Sequence, residues 1–432
     1  MIVVLGLGRE TRQLLRVLDR EQPGARVLVL DEGQPGPELL PATCHLDVEV
    51  VAHADLDVPD LLPAATEVAY RSPGISPYRP ALAAARARGV PMTTPTGWWA
   101  ARRDGDDVLA ITGTKGKSTT AALTAHLLAA AGRQVSLRGN IGRAALDADE
   151  LEDDAEDLVL ELSSYQLADL DARFALAGIT TLLRDHVPWH GSVARYHRDK
   201  LRLLTLADRR VVTPQVAAHP AVDPGEVDAV VTTTLADHAA ALATALRGAG
   251  LVGEHLVVDA ALAIGLVDAR LERAAGVREL IGSLAGFRPL PHRLTPVARR
   301  GGLTFVDDSI STVPESAVAA VAAYRPLGPV TVLLGGDDRG QDLAPLIALL
   351  ADPEVRAVLL PPLSERLEAA LAPVATGRVH AVADLPAAVD LATAITPAGG
   401  AVVLSPAAPS FSAYRDFVAR GEHFVTLVTA GR

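Results

Sequence analysis

The stretch that most constrains this chain runs from Val108 to Ala131. An apolar run, Val108–Ile111, enters a turn holding Gly113, Gly116 and Lys117, and Ser118, Thr119 and Thr120 then open an Ala/Leu-rich segment. The order is strand, phosphate loop, helix, a unit of α/β proteins. Two glycines let backbone N–H groups approach an anion, and a helix N-terminus adds partial positive charge. Lys117 offers a point charge, and the Ser118 hydroxyl can hold Mg²⁺. The pattern G-x-x-x-x-G-K-[ST] is not met in full, because its first glycine falls on Ile111. The match is to a shortened loop, with Gly113, Thr114, Lys115, Gly116, Lys117, Ser118 and Thr119 as candidate nucleotide-binding residues. A glycine turn with a surface lysine is the plainer alternative.

Composition narrows the setting. With 432 residues the chain can hold two or three domains, and 49% hydrophobic with only 3% aromatic residues suits a helix-rich α/β protein. No apolar run reaches the length of a membrane span and no basic leader precedes Ile2, so a cytoplasmic protein with no membrane partner is expected. The single cysteine, Cys44, excludes an internal disulfide and a multi-cysteine metal site and reads as a buried small residue. A net charge of −12 argues against a nucleic-acid partner.

Along the chain, Met1–Gly8 reads as a strand ending in G-L-G-R-E-T, followed by a helix to Arg20 and a second strand ending at Asp31. This is half of a nucleotide-binding βαβ unit, with Thr11 where a third glycine would sit; Asp31 is either a ribose or base acceptor or a solvated carboxylate. Arg71–Gly74 is a turn that presents backbone donors. Irregular Pro91–Thr96 marks a first boundary, placed near Met92–Trp99. In the central segment, Gly139–Gly142 is a tight turn whose Asn140 can reach a sugar or phosphate. An acidic loop, Asp147–Asp157, precedes LVLELSSYQL, whose far end carries Glu161, Ser163, Ser164 and Gln166. The run Gly178–Leu183 leads to Asp185 and His186. A carboxylate and an imidazole at neighbouring strand ends beside a phosphate loop suit Mg²⁺ or its waters. Ser192–Ala207 reads as a helix in which Lys200 is a solvated surface residue. Gly286–Arg293 is a second linker. Beyond it strands and helices alternate from Leu303 to a final helix over Ala413–Val428, implying a third, doubly wound parallel sheet.

Taken in order, TGTKGKST (112–119), GNIG (139–142), LELSSYQL (160–167), DH (185–186), KLR (200–202), LPHR (290–293), DDS (307–309), LGGDDRG (334–340) and LSPAAPS (404–410) give the chain its resemblance to the Mur ligase family. These are the ATP-dependent amide ligases of peptidoglycan precursor synthesis. The resemblance implies three domains: a Rossmann-like UDP-substrate domain (1–95), a central P-loop ATPase-type parallel sheet (96–286) and a C-terminal doubly wound α/β domain (287–432). LELSSYQL and the LSPA…S segment are similar to the member that adds glutamate to UDP-N-acetylmuramoyl-L-alanine. That implies attack of the acceptor carboxylate on the ATP γ-phosphate, an acyl phosphate, and its capture by the amine of glutamate.

It also implies roles. Lys117 and the loop N–H groups hold phosphates, and Ser118 and Glu161 hold one Mg²⁺. His186 and Lys200 match a second metal site in which the lysine is carbamylated, against the surface reading above. Arg293 and Asp308 match nucleotide contacts. Asn140 and His186 lie on the acceptor side, Asp31 with the first domain grips the uridine, Ser163 is a further substrate-binding candidate, and Thr312, Arg339, Ser410 and Phe417 match a glutamate pocket. Small-molecule substrates and a monomer are expected.

Three departures stand out. The family's H-N-x-x-N reads His255, Leu256, Val257, Val258, Asp259; its D-S-K-A-T-N reads Asp308, Ser309, Ile310, Ser311, Thr312, Val313; and its aspartate-lysine pair reads Asp338, Arg339. A guanidinium fork and an ammonium hold a carboxylate differently. The pattern resembles the branch that adds L-glutamate, preferred here over the D-glutamate branch. Open alternatives are a folate-type polyglutamate ligase, a non-catalytic nucleotide-binding protein, and a dinucleotide oxidoreductase built on G-L-G-R-E-T.

Overall fold

The structure is a computed structural model and describes residues 1–33, 44–141, 143–147, 155–272, 276–338, 340–371 and 377–430. Arg339, Gly142 and residues 148–154 of the expected acidic loop lie outside the described residues. The chain divides into two compact units, Met1–Ala239 with Val258–Ser283 and Ala240–Val257 with Leu284–Arg432.

The first unit holds two parallel sheets. In the first, β1 (Ile2–Leu5), β2 (Arg26–Leu30), β3 (Asp47–Val51), β4 (Val68–Arg71) and β5 (Met92–Thr93) lie in the order β3-β2-β1-β4-β5. All four residues of β1 are buried, as an uninterrupted Ile-Val-Val-Leu run requires of a strand covered on both faces. The helix Arg9–Glu21 buries Leu14, Leu15, Val17 and Leu18 against it. Strand order reverses beside β1, which puts the Gly6–Gly8 loop and the turn after Arg71 at the crevice where open α/β sheets take ligands.

The segment expected as an irregular first linker is ordered. Met92–Thr93 extends the first sheet, and Thr94 caps the helix Pro95–Ala100 by accepting from the Gly97 N–H at 3.1 Å. Trp98 and Trp99 of that helix are buried in one core with Val4, Leu14, Val108 and Leu160, so the two sheets of this unit share apolar packing. Large aromatic rings suit that joining role.

The second sheet comprises β6 (Val108–Thr112), β7 (Val135–Gly139), β8 (Asp157–Glu161), β9 (Phe174–Ile179), β10 (Ala207–Val212) and β11 (Ala229–Val230), in the order β11-β10-β9-β6-β8-β7. Its central strand β6 is wholly buried and feeds the helix Lys117–Ala130. The helix containing Lys200 spans Val193–Thr205, not Ser192–Ala207: Ser192 is its cap, and Ala207 already begins β10.

The second unit is built on β12 (Thr295–Arg300), β13 (Leu303–Asp307), β14 (Val330–Gly335), β15 (Val355–Leu360), β16 (Val379–Ala381) and β17 (Ala401–Leu404), in the order β12-β13-β17-β14-β15-β16. Five strands run parallel as expected; β12 is an antiparallel edge the alternation did not reveal. The last helix starts at Phe417, four residues later than its apolar content suggested, because the Asp416 side chain accepts from the Ala419 N–H and fixes the start there.

Candidate functional site

The loop after β6 is built by close contacts that exclude side chains. Gly113 has φ 154° and a Cβ there would strike the Thr180 hydroxyl; Gly116 has φ 85° and a Cβ there would strike the Asp259 carboxylate. Two of the expected cradle donors point inward. The Thr114 N–H donates to the Thr181 carbonyl at 2.8 Å and the Lys115 N–H to Thr181 Oγ1 at 2.9 Å. The donors left for an anion are those of the helix N-terminus, where the first N–H groups of Lys117–Ala130 lack intrahelical acceptors and Gly116 supplies no side-chain cap. Lys117 is half-buried, and its ammonium makes no hydrogen bond or ion pair among the described residues; Ser118 is buried.

Glu161 ends β8 in register with Ile111 on one side and Gly139 on the other, which sets its carboxylate beside the loop. It is 0% exposed. Oε1 accepts from Asn140 Nδ2 at 3.2 Å, whereas Oε2 has no hydrogen-bond partner among the described residues. A buried carboxylate oxygen with no donor is costly unless a cation or water completes it. Among the described residues no three His, Cys, Asp or Glu side chains form a complete metal cage. Mg²⁺ needs none, because it binds through one or two carboxylates with waters and phosphate. One orphaned carboxylate oxygen beside a buried serine on a phosphate loop therefore fits that ion.

His186 caps the turn Val187–His190 in the left-handed region, φ 49°, a conformation that costs a non-glycine residue about 1–3 kcal/mol. It is held there by Tyr165 Oη on Nδ1 at 2.9 Å and by its own N–H on Asp185 Oδ1 at 2.8 Å. Burial lowers its imidazole pKa, opposed by Asp185 and reinforced by Lys200 and Lys117.

Lys200 corrects the surface expectation: it is 2% exposed and donates to the Gly113 carbonyl at 2.7 Å. Burial first, and the Lys117 charge second, hold it well below the ordinary lysine range. The structure thus brings Gly113 and Lys200 into contact, and likewise Asn140 and Glu161. His186 lies within electrostatic reach of both lysines.

Other candidates are occupied by the fold. Asp31 accepts from the Leu7 N–H at 2.7 Å and the Gly33 N–H at 2.8 Å, so its carboxylate ties down the Gly6–Gly8 loop. Ser163 forms a capping box with Gln166, and Cys44 is half-buried.

In the second unit the ends of β13, β14 and β17 gather around Arg420, which is 2% exposed. Its guanidinium donates to the carbonyls of Ser309 at 2.8 Å, Ala408 at 3.1 Å, Gly335 at 3.4 Å and Pro409 at 3.5 Å, and to Ser309 Oγ at 3.1 Å. Burial lowers its pKa to about 10. Ser309 Oγ in turn donates to the Phe417 carbonyl at 2.8 Å, and Ser410 is buried while Thr312 is exposed. Asp308 accepts from Ser405 Oγ at 2.7 Å and the Leu294 N–H at 3.1 Å, and burial pushes its carboxyl up to about 7. Arg293 precedes that contact on the same loop.

Residues 111–225 match the Mur ligase middle domain and residues 292–408 the Mur ligase glutamate ligase domain. The chain is 40% identical over 385 residues to a UDP-N-acetylmuramoyl-L-alanine--L-glutamate ligase of Micromonospora sp., covering 85% of this chain and 84% of that one. The chain belongs to the Mur ligase family. The enzyme of the same description from Xylella fastidiosa is 38% identical over 455 residues, covering 99% and 94%. Among solved structures, the UDP-N-acetylmuramate-alanine ligase of Thermotoga maritima has TM-score 0.56 at 17% identity and covers 98% of both chains, which bears on the fold alone.

Three features of this Mur ligase escaped sequence reasoning. Arg71, 0% exposed, pairs with both oxygens of Asp169 and donates to the Tyr165 carbonyl at 2.7 Å. Glu10, from G-L-G-R-E-T, accepts from Gln166 Nε2 at 2.8 Å and Thr96 Oγ1 at 2.6 Å, which gives that motif a structural task. Asp259 is buried against Gly116 with Oδ2 unpartnered among the described residues, and burial pushes its carboxyl up to about 7. The S-x-x-Q capping spacing of Ser163 and Gln166 was the one legible sign among these.

Proposed function

We propose that this Mur ligase is an ATP-dependent ligase that joins L-glutamate to UDP-N-acetylmuramoyl-L-alanine in the cytoplasm, releasing ADP and phosphate. The observation that carries the reading is the buried Glu161 oxygen that has no partner among the described residues, at a strand end beside a phosphate loop whose Lys117 makes no hydrogen bond or ion pair among them. The relatives' shared description as L-glutamate ligases supports the amino acid.

In this reading the helix N-terminus at Gly116–Thr119 and Lys117 hold the ATP phosphates and neutralise charge as the acceptor carboxylate attacks the γ-phosphorus in line. Glu161 and Ser118 hold Mg²⁺, which supplies charge neutralisation on the phosphates when bound. Lys200 is buried and shifted toward its uncharged amine, the form that adds CO₂; as a carbamate it becomes anionic and, with His186, suits a second cation. The acyl phosphate then accepts the glutamate amine and phosphate leaves. Asp31 and Ser163 serve the acceptor side mainly by shaping backbone, and Asn140 by donating to Glu161 Oε1. Arg293 and Asp308 bind nucleotide, and Thr312, Arg339, Ser410 and Phe417 take glutamate. The substrates are small molecules and the working form is a monomer.

The deciding experiment offers purified protein ATP, Mg²⁺ and UDP-N-acetylmuramoyl-L-alanine with D- or L-glutamate separately. Phosphate release is expected with L-glutamate, and product formed with D-glutamate alone would overturn the choice of isomer.

A further inference from the structure

A buried polar chain runs beside Lys200, and the chemistry above does not use it. The Tyr78 hydroxyl donates to Asp199 Oδ1 at 2.7 Å, Asp199 Oδ2 pairs with His190 Nδ1 at 2.6 Å, and His190 Nε2 pairs with Ser164 Oγ at 3.0 Å. His190 is 0%, Ser164 2% and Asp199 5% exposed. An ionised carboxylate only accepts, so His190 carries its proton on Nδ1. In the neutral ring Nε2 then accepts from the Ser164 hydroxyl. All four side chains are satisfied in one direction. Serine, histidine and aspartate in this order are connected as in a hydrolytic triad, but a hydroxyl this deeply buried cannot receive an acyl group.

What the chain does reach is the residues next to it. Asp199 directly precedes Lys200, and Ser164 directly precedes Tyr165, whose hydroxyl holds His186. At its other end Tyr78 belongs to the loop that leaves the first sheet after Arg71. That loop is fastened to the same helices: Ser76 Oγ donates to the Trp189 carbonyl and Trp189 Nε1 to the Gly74 carbonyl, both at 2.8 Å. The Arg195 guanidinium lies 4.5 Å over the Tyr78 ring.

We propose that Tyr78, Asp199, His190 and Ser164 form a positioning chain that fixes Lys200 and His186 relative to the acceptor-side loop of the first sheet. The proposal deepens the ligase reading and rests on it for the meaning of "acceptor side". Each member acts through a neighbour, and none touches a reacting atom.

The test compares wild type with Tyr78→Phe, Asp199→Asn and the double variant, adding Ser164→Ala as a variant at the other end should Tyr78→Phe melt early. Four quantities are read: kcat, KM for the acceptor, MgADP affinity by calorimetry, and the ¹³C signal of a Lys200 carbamate in labelled bicarbonate. Losing one supporting partner of a metal-site residue typically costs about 10- to 100-fold. A fall of that size in kcat is expected, with the carbamate signal weakened or shifted and with MgADP affinity unchanged, all read well below the melting temperature, which Asp199→Asn should lower because it leaves a buried donor unmatched. The double variant should lose no more than Asp199→Asn alone, since both cut one chain. Wild-type kcat and an unmoved carbamate signal in Tyr78→Phe and Ser164→Ala would overturn the proposal, as would losses that multiply in the double variant. Should wild type fail to turn over the acceptor at all, the ligase reading falls, and the carbamate signal alone still decides whether the chain positions Lys200.

Discussion

The two units put functional loops at the carboxyl ends of parallel strands, yet they stabilise those loops in opposite ways. In the first unit the site is left open in charge: among the described residues Lys117 has no partner, Glu161 keeps an orphaned oxygen, and Lys200 is buried against the Gly113 carbonyl. In the second unit Arg420 closes the arrangement from within, its guanidinium donating to backbone oxygens of the loops after three strands. The first is poised to complete itself with ions and phosphate; the second is complete before any ligand arrives. Charge left uncompensated in a buried place marks where ligand chemistry happens, whereas a fully satisfied buried ion marks scaffold.

The largest effect should come from the open site. Lys117→Ala removes a cation that makes no hydrogen bond or ion pair among the described residues and should lower phosphate release by about 10²–10³-fold, with the melting temperature little changed because no ion pair among them is lost. Retained turnover would show that the contrast between an open and a closed site has no catalytic meaning.

The closed site should answer in stability. Arg420→Met leaves several buried carbonyls and Ser309 Oγ without their donor, for a loss of about 3 kcal/mol. All three tryptophans, Trp98, Trp99 and Trp189, lie in the first unit. Far-ultraviolet circular dichroism should therefore show an early loss while tryptophan fluorescence holds. A fluorescence transition that moves with the dichroism would dissolve the distinction between the units.

This difference also explains what could be read from sequence. The phosphate loop, Glu161 and Asp185–His186 were legible because each is a short motif at a strand end, its chemistry carried by neighbours in the chain. Lys200 was not, because periodicity places a residue on a helix but does not reveal what packs over it; only family resemblance pointed at burial. Arg420 was illegible for a stronger reason, since its acceptors are drawn from positions as distant as Ser309, and no local pattern distinguishes it from a surface arginine. β12 was missed because Thr-Pro-Val-Ala-Arg-Arg has neither an apolar run nor alternation, as an edge strand allows. The expected irregularity of Met92–Trp99 was not found, because Pro and Thr, which read as breakers, here serve as helix start and cap.

The finest test of the comparison uses two buried carboxylates, Asp259 in the first unit and Asp308 in the second. Burial raises both to about 7 from an ordinary 3.8. Between those values the native state holds a proton that the unfolded chain has released, so stability falls as pH rises and the full cost is present above about pH 7. From pH 5 to 7 the fall should be about 2 kcal/mol per group, below the full titration limit of 1.36 kcal/mol per unit. The pair differs in partners. Asp308 Oδ1 accepts from the Leu294 N–H and Oδ2 from the Ser405 hydroxyl, so its ionised form already has two donors, and an amide in its place keeps the first while the hydroxyl turns to accept from the N–H₂. Asp259 Oδ2 has no hydrogen-bond partner among the described residues and the Thr120 side chain is what favours its ionised form, so Asp259→Asn should flatten the pH dependence of the tryptophan-reported transition and stabilise it above pH 7. Asp308→Asn should gain less above pH 7, followed by circular dichroism, because the ionised carboxylate that it replaces already has two donors. Equal behaviour of the two variants would mean that the open and closed sites do not differ in how they hold buried charge.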